Sequence, residues 1–151
     1  MLELAREADL ENINRIALQV HELHVQWRPD IYCETDCIFP MDYLRENIRE
    51  KTLFVAKIQD VIVGFILFRI WEMKGNGNVP RKVLQIDSIG VDQAFQNQGI
   101  GTRMMGELRA LARAFGCTDI QLSVYPQNDG AVAFYQKCGF TIRNINMQTK
   151  V

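Results

Sequence analysis

The residues that most clearly suggest chemistry are two glycines in the segment Gln96–Gly101, which reads Gln-Asn-Gln-Gly-Ile-Gly. An alternating run rich in β-branched residues precedes it at 83–91, and apolar residues at helical spacing follow it at 104–115. Glycine lets the backbone come close to a bulky anion, and the first turn of a helix offers unpaired N–H groups, with dipole contacts worth about 0.3 to 1 kcal/mol each. The order strand, glycine loop, helix therefore predicts a phosphate-binding loop.

The loop does not fit two other phosphate-binding patterns. A nucleoside triphosphate loop needs a lysine after its second glycine, and no lysine follows Gly101. A dinucleotide loop needs glycine or alanine where this chain has Met104, and an acidic residue at the end of the next strand, whereas Asp119 would begin that strand. The pattern that remains is Gln/Arg-x-x-Gly-x-Gly/Ala.

This pattern resembles the acyl-coenzyme A loop of the GNAT superfamily of N-acetyltransferases. A second motif, from Asn128 through Tyr135 to Gly139-Phe140, looks like the ending of the same superfamily, and Leu4–Asp9 is similar to its opening. The resemblance covers nearly the whole chain. It implies an α/β fold with a central mixed sheet of six to seven strands, helices on both faces, and two parallel strands that splay apart.

The resemblance also implies direct transfer, in a ternary complex, of an acetyl group from acetyl-coenzyme A to a primary amine of a small molecule or peptide. It does not identify the acceptor, and it implies no metal. The alternative is a catalytically silent domain that senses acyl-coenzyme A or mediates an interaction, and Tyr135 and Asp87 argue against that alternative.

The coenzyme-binding residues implied by the resemblance lie in three places. The backbone of Ile89 and Val91 would pair with the pantetheine arm, and Asn128 would hydrogen-bond it, unless it belongs to a turn in which Asp129 caps the next helix. Arg103, in the first helical turn, would contact phosphate or simply be solvated. The full set is Ile89, Val91, Gln96, Asn97, Gln98, Gly99, Ile100, Gly101, Thr102, Arg103, Asn128 and Tyr135.

Three groups are expected to take part in catalysis. By resemblance the Tyr135 hydroxyl protonates the leaving thiolate, unless Tyr135 is a core aromatic whose hydroxyl bonds a backbone group. The Ile89 N–H would stabilise the oxyanion. A base is needed because a lysine-like amine, with a pKa near 10.4, costs about 4 to 5 kcal/mol to deprotonate at neutral pH. Strand parity places Asp87 beside Gln85 and Ile89 and suggests it as that base.

The assignment of the base stays open at this point. Some members of the resembled superfamily carry a glutamate where this chain has Gln85, and Asp87 could equally form a structural ion pair with an Arg or Lys. Three other carboxylates could act through water: Glu72, Glu34 and Asp36.

Composition sets further bounds. With 151 residues and 48% hydrophobic content, we expect one domain, residues 1–151, with its own core. The longest apolar run ends at Arg69, short of a membrane helix, and no secretory signal is visible, so a cytoplasmic location is expected. Four cysteines, with His21 and His24, could form a metal set, but reduced thiols are the default in a cytosolic chain, and the two histidines could equally lie on a solvated helix face or line a substrate pocket.

The charges are distributed unevenly. Residues 1–50 hold eleven acids against five bases, and residues 51–151 hold seven acids against twelve bases. A basic C-terminal half suits a ligand with several phosphates, and an acidic N-terminal half suits a cationic amine; two ordinary solvated surfaces are the alternative. No dense Lys/Arg tract with interleaved aromatics suggests nucleic-acid binding.

The expected elements place the motifs in a mixed sheet, with early strands antiparallel and two parallel strands joined by the helix at 99–115. The last strand, 140–147, could pair across a two-fold axis and form a homodimer. The strands are expected at 1–7, 52–58, 61–71, 82–91, 119–124 and 140–147, and the helices after Asp9, after Pro40, at 99–115 and at 129–138.

Overall fold

The computed structural model describes all residues from Met1 to Val151. None of its helices combines the length and the apolar character needed to cross a membrane. The elements in chain order are β1 (Leu2–Leu4), α1 (Leu10–Trp27), α2 (Met41–Arg49), β2 (Leu53–Ile58), β3 (Val61–Met73), β4 (Arg81–Val91), α3 (Ile100–Ala114), β5 (Asp119–Gln121) and α4 (Asp129–Lys137), with 3-10 turns at Glu7–Asp9 and Gln93–Phe95.

The strands form one mixed sheet in the order β1-β2-β3-β4-β5. All neighbours are antiparallel except β4 and β5, which are parallel because α3 carries the chain back across the sheet. The mixed architecture is therefore confirmed, but the sheet has five strands rather than six to seven. The expected last strand at 140–147 has no regular structure, and its apolar side chains Ile142, Ile145 and Met147 are exposed.

Two apolar cores cover the two faces of the sheet, so helices lie on both faces as expected. On one face α1 and α2 pack through Ile13, Ile16 and Leu44 against the strands. On the other face α3 packs through Met104, Met105 and Leu108. The apolar residues at helical spacing in 104–115 lie on the face that α3 buries.

A β-bulge in β4 corrects the expected direction of one side chain. Leu67 of β3 lies opposite Ser88 and Phe68 lies opposite Ile86, so Asp87 has no partner residue. The extra residue reverses the alternation, and Ile86 and Ile89 consequently pack in the same core, on the α3 face. The expectation that Asp87 and Ile89 share one side of the strand is therefore wrong.

Candidate functional site

The loop between β4 and α3 presents an unbroken row of unpaired backbone N–H groups. The first N–H with a protein acceptor after the loop is that of Arg103, which donates to the Gly99 carbonyl at 3.1 Å. Residues 96–99 are exposed, and the row lies at the N-terminus of a fifteen-residue helix. Unpaired N–H groups at such an end attract anions. The row consists of Asn97, Gln98, Gly99, Ile100, Gly101 and Thr102.

The two glycines of this loop are needed for different reasons. Gly99 has a φ of +77°, a left-handed conformation that other residues adopt only with strain. Gly101 is helical, but a Cβ there would lie 3.1 Å from the ring of Phe134 in α4. The sequence suggested that both glycines admit the anion; for Gly101 the structure shows a close contact with Phe134. That contact brings α4 onto the first turn of α3.

A buried carboxylate holds the loop in place. Asp92, at the end of β4, is 5% exposed and accepts hydrogen bonds from the Ala94 N–H at 3.1 Å and from Gln19 at 3.4 Å. It also pairs with Arg15 at 2.7 Å. Gln19 in turn accepts a hydrogen bond from the Gln93 N–H at 3.0 Å. Helix α1 is thereby tied to the start of the loop, an anchor that the sequence did not reveal.

The parallel strands diverge before β4 ends and the loop begins. The pairing of β4 with β5 ends at Gln85 and Gln121, so the rest of β4 has no neighbour on that side. The Asp92 N–H donates to Val63 of β3, and because peptide groups alternate along a strand, Ile89 and Val91 direct their N–H groups away from β3. The Val91 carbonyl on this side accepts a hydrogen bond from the Gln96 side chain at 3.1 Å.

Tyr135 lies on α4 beside Phe134 and carries an unpaired hydroxyl. Its ring packs between Phe134 and Phe140, with ring centroids 5.2 Å and 5.6 Å away. The hydroxyl makes no hydrogen bond to another protein group, so the alternative of a bonded core tyrosine does not hold. Burial raises the pKa of Tyr135 to about 12, and the neighbouring Cys138 adds to the shift. Tyr135 is therefore a protonated donor at neutral pH.

Asn128 is the N-cap of α4. Its side-chain oxygen accepts a hydrogen bond from the Ala131 N–H at 3.1 Å, while its side-chain amide makes no hydrogen bond to the protein. Asp129 is the first residue of the helix, so it is not the cap. Asn128 therefore keeps free donors that a ligand could use.

The carboxylates considered as the base lie in different settings. Asp87 pairs with Arg69 at 3.4 Å, as the structural alternative required. Burial nevertheless raises the pKa of Asp87, and Arg69 only partly opposes this. The hydrogen bond from Lys74 lowers the pKa of Glu72. Glu34 and Asp36 are exposed in the irregular segment between α1 and α2 and form no ion pair.

An aromatic group that the sequence did not reveal lies between α1 and the segment after β5. His24 of α1 stacks on Tyr32 with ring centroids 5.3 Å apart and meets Tyr125 edge-on at 5.6 Å. The hydroxyls of Tyr32 and Tyr125 are hydrogen-bonded at 2.9 Å. His21 and His24 lie three positions apart on α1, but nothing in the local sequence relates them to Tyr125.

The cysteines form no metal set with the histidines. Cys33, Cys37, Cys117 and Cys138 are free thiols. No group of three or more His, Cys, Asp or Glu side chains comes together in a way that could hold a metal ion.

The splayed parallel strands, the row of free N–H groups and the tyrosine on the following helix are the features that the resemblance to the GNAT superfamily implied. The model of the acetyltransferase (GNAT) family matches residues 17–140. The chain belongs to the GNAT acetyltransferase family.

Two curated relatives show the range of acceptors in similar proteins. The chain is 28% identical over 108 residues to an N-alpha-acetyltransferase of Sulfurisphaera tokodaii, which covers 68% of the chain and 65% of that protein. It is 30% identical over 80 residues to the spermine/spermidine N(1)-acetyltransferase of Bacillus subtilis, which covers 52% of each. The chain thus spans less than two thirds of the length of either relative.

Solved structures agree on the fold. A mutant form of the BH1408 protein from Bacillus halodurans superposes with a TM-score of 0.94 at 23% identity and covers 100% of this chain and 99% of its own. An acetyltransferase from Trypanosoma brucei has a TM-score of 0.66 at 21% identity, with the same coverage.

Proposed function

We propose that this protein transfers an acetyl group from acetyl-coenzyme A to a primary amine of a small molecule or peptide, directly and within a ternary complex. The observation that carries the proposal is the row of six unpaired N–H groups from Asn97 to Thr102 at the start of α3. Family membership and the N-acetyltransferase relatives support it. Residues 1–151 would form one acetyltransferase domain.

The coenzyme supplies a thioester with a good leaving group, and the protein positions it. The row of N–H groups would hold the diphosphate, with Gln96 bracing the loop and Arg103, which forms no ion pair, adding a positive charge. The outward backbone groups of Ile89 and Val91 would pair with the pantetheine arm, as an added strand does, and the Asn128 amide would donate to it.

Catalysis would use groups around the divergence of β4 and β5. The Ile89 N–H would donate to the thioester oxygen as negative charge develops, and Tyr135 would donate its proton to the departing sulfur. Among the carboxylates, Asp87, with its raised pKa, is the candidate to take a proton from the amine through water, and Glu72, Glu34 and Asp36 are the other carboxylate candidates. The acidic N-terminal third of the chain favours a cationic acceptor.

The test combines coenzyme binding with thiol release. Calorimetry should show acetyl-coenzyme A binding to the wild type, and saturation at about 100 times Kd should add about 2.7 kcal/mol to the free energy of unfolding. An amine screen that begins with polyamines and peptides should release free thiol and yield acetylated products by mass spectrometry. Binding without thiol release for any amine would instead support the catalytically silent sensor, and no binding would exclude both.

The homodimer and the cytoplasmic location remain predictions. The segment 140–147, expected to pair across a two-fold axis, is irregular in the isolated chain, with exposed apolar side chains. Sedimentation of the purified protein measures the oligomeric state.

A further inference from the structure

The aromatic group between α1 and the segment after β5 has the composition of a binding site. We call it the aromatic cluster and define it as His24, Tyr32, Tyr125 and Trp27. The His24 ring lies in its centre, 5.3 Å from Tyr32, 5.6 Å from Tyr125 and 5.8 Å from Trp27. All four side chains are half-buried, so each keeps a part open to solvent. Aromatic faces attract organic cations, and ammonium groups in particular.

The position of the aromatic cluster relates it to the divergence of β4 and β5. Helix α1 crosses β4 at Gly90, where a Cβ would lie 3.0 Å from Ile16 and 3.2 Å from Val20. His24 lies one turn beyond Val20 on the same face of α1, a rise of about 6 Å. Tyr125 follows β5 after the strands have parted. The cluster therefore spans the divergence on the α1 face, opposite the face where α3 and the N–H row lie.

His24 is chemically distinct from its neighbour His21. The Nε2 atom of His21 is 2.7 Å from the Cys33 carbonyl, and this contact holds the ring. Neither ring nitrogen of His24 makes a hydrogen bond to the protein. Burial, together with the charge of His21, lowers the pKa of His24, so its imidazole is neutral and able to accept a proton at neutral pH.

Other charged and titratable groups near His24 leave this role to the imidazole. The hydrogen bond that Tyr32 shares with Tyr125, together with burial, raises the pKa of Tyr32, so Tyr32 stays protonated. The guanidinium carbon of Arg28 lies 5.9 Å from the centre of the Tyr125 ring. The Nε and Nη2 atoms of Arg28 donate hydrogen bonds to the Asp30 carboxylate, which holds the guanidinium in place. Glu34, two residues beyond Tyr32, carries no paired cation and favours the approach of a positive group.

We propose that the aromatic cluster binds the primary amine of the acceptor and that His24, rather than Asp87 or another carboxylate, accepts the proton lost by the attacking nitrogen. The proposal rests on the proposed acetyl transfer. The ammonium group of the acceptor first loses one proton to the solvent through water. As the neutral nitrogen bonds to the acetyl carbon, a second proton passes from it to the His24 imidazole. The carbon–sulfur bond then breaks, the sulfur takes a proton from Tyr135, and water carries the proton of the imidazolium to the tyrosinate. The net products are an amide, a thiol and one proton released to the solvent.

The first experiment compares the pH dependence of turnover in His24→Gln with that of the wild type. His24→Gln should lower kcat about 100-fold and abolish the acidic limb of the profile of kcat/KM for the amine. Its Kd for acetyl-coenzyme A should stay within about twofold. Imidazole added to His24→Ala should restore part of the turnover. Gln26→Ala, on the exposed side of the same helical turn, is the control and should match the wild type.

The second experiment does not depend on turnover. The ring-proton NMR signals of the two histidines are followed in the coenzyme A complex while spermidine is added, with His21→Gln to assign them. The His24 signal should shift and saturate with spermidine, and it should not respond to an equal concentration of 1,4-butanediol, an uncharged molecule that carries no amine.

The results separate this proposal from the proposed function. Turnover of His24→Gln within twofold of the wild type, or a His24 signal that spermidine and lysine peptides leave unchanged, would overturn the role of the aromatic cluster while acetyl transfer stood. A wild type that binds acetyl-coenzyme A but releases no thiol with any amine would overturn acetyl transfer itself, and the proton-accepting role of His24 with it.

Discussion

Replacing Tyr135 with phenylalanine removes one oxygen atom and leaves the packing intact. The ring keeps its contacts with Phe134 and Phe140, and the lost hydroxyl has no protein partner that would be left unpaired. The free energy of unfolding at neutral pH should therefore change by no more than about 0.5 kcal/mol. Any large loss of activity in Tyr135→Phe then reports on chemistry rather than on folding.

The raised pKa of this hydroxyl keeps it protonated, and the size of the effect on the rate is that of losing a general acid. Its rise from 10.0 to about 12 corresponds to about 2.7 kcal/mol of preference for the protonated form in the folded chain. A raised pKa contributes stability that is complete below about pH 10 and is lost as the pH rises through about 12. Losing a positioned proton donor lowers the rate by about 100-fold or more, while acetyl-coenzyme A affinity should stay within about threefold.

Two assays measure these quantities. Single-turnover thiol release at saturating coenzyme and amine isolates the chemical step, and calorimetry gives the coenzyme Kd. Alkaline titration of tyrosinate absorbance should show that one of the four tyrosines ionises near pH 12 in the wild type and that this step is missing in Tyr135→Phe. Equal single-turnover rates in the two proteins would refute the role of Tyr135 as proton donor.

Three further substitutions test the rest of the site. Gly99→Glu places a charged side chain on a left-handed residue amid the row of N–H groups and should abolish acetyl-coenzyme A binding by calorimetry; normal affinity would contradict the loop assignment. Asp92→Asn should lower the free energy of unfolding by about 1 to 3 kcal/mol, measured by chemical denaturation, and should weaken coenzyme binding. The control Asp42→Asn, on the exposed face of α2, should lower the free energy of unfolding by less than about 0.5 kcal/mol. Burial alone raises the pKa of Asp92, but hydrogen bonds from Arg15, the Ala94 N–H and Gln19 lower it overall, below 3.8. The stability that the Asp92 carboxylate contributes is therefore lost only as the pH falls through this folded-state pKa. If Asp87 is the base, Asp87→Asn should lower kcat about 100-fold, while Arg69→Ala should move the acidic limb of the rate profile to higher pH; an unchanged kcat in Asp87→Asn would exclude it.

Local patterns in the sequence were sufficient to predict the position of the glycine loop and of most helices and strands. The glycine loop stands between β4 and α3 because an alternating strand, a left-handed Gly99 and a helical stripe are each encoded within a few residues. Gln59 and Asp60 lie between the strands expected at 52–58 and 61–71 and form the β2–β3 turn, with both residues at positive φ although neither is glycine. Asn128 and Tyr135 fall on α4 for the same reason, since a cap and a helix are local features.

Tertiary packing decided how these elements meet. The bulge at Asp87 depends on the pairing of β4 with β3 and could not be read from the alternation of β4 alone. Segment 140–147 has the residues of a strand, but β5 is only three residues long and leaves it without a regular partner. Asp92 meets Gln19 across 73 positions, and His24 meets Tyr125 across the parted strands. Such contacts join residues that no local period relates, so only the folded chain brings them together.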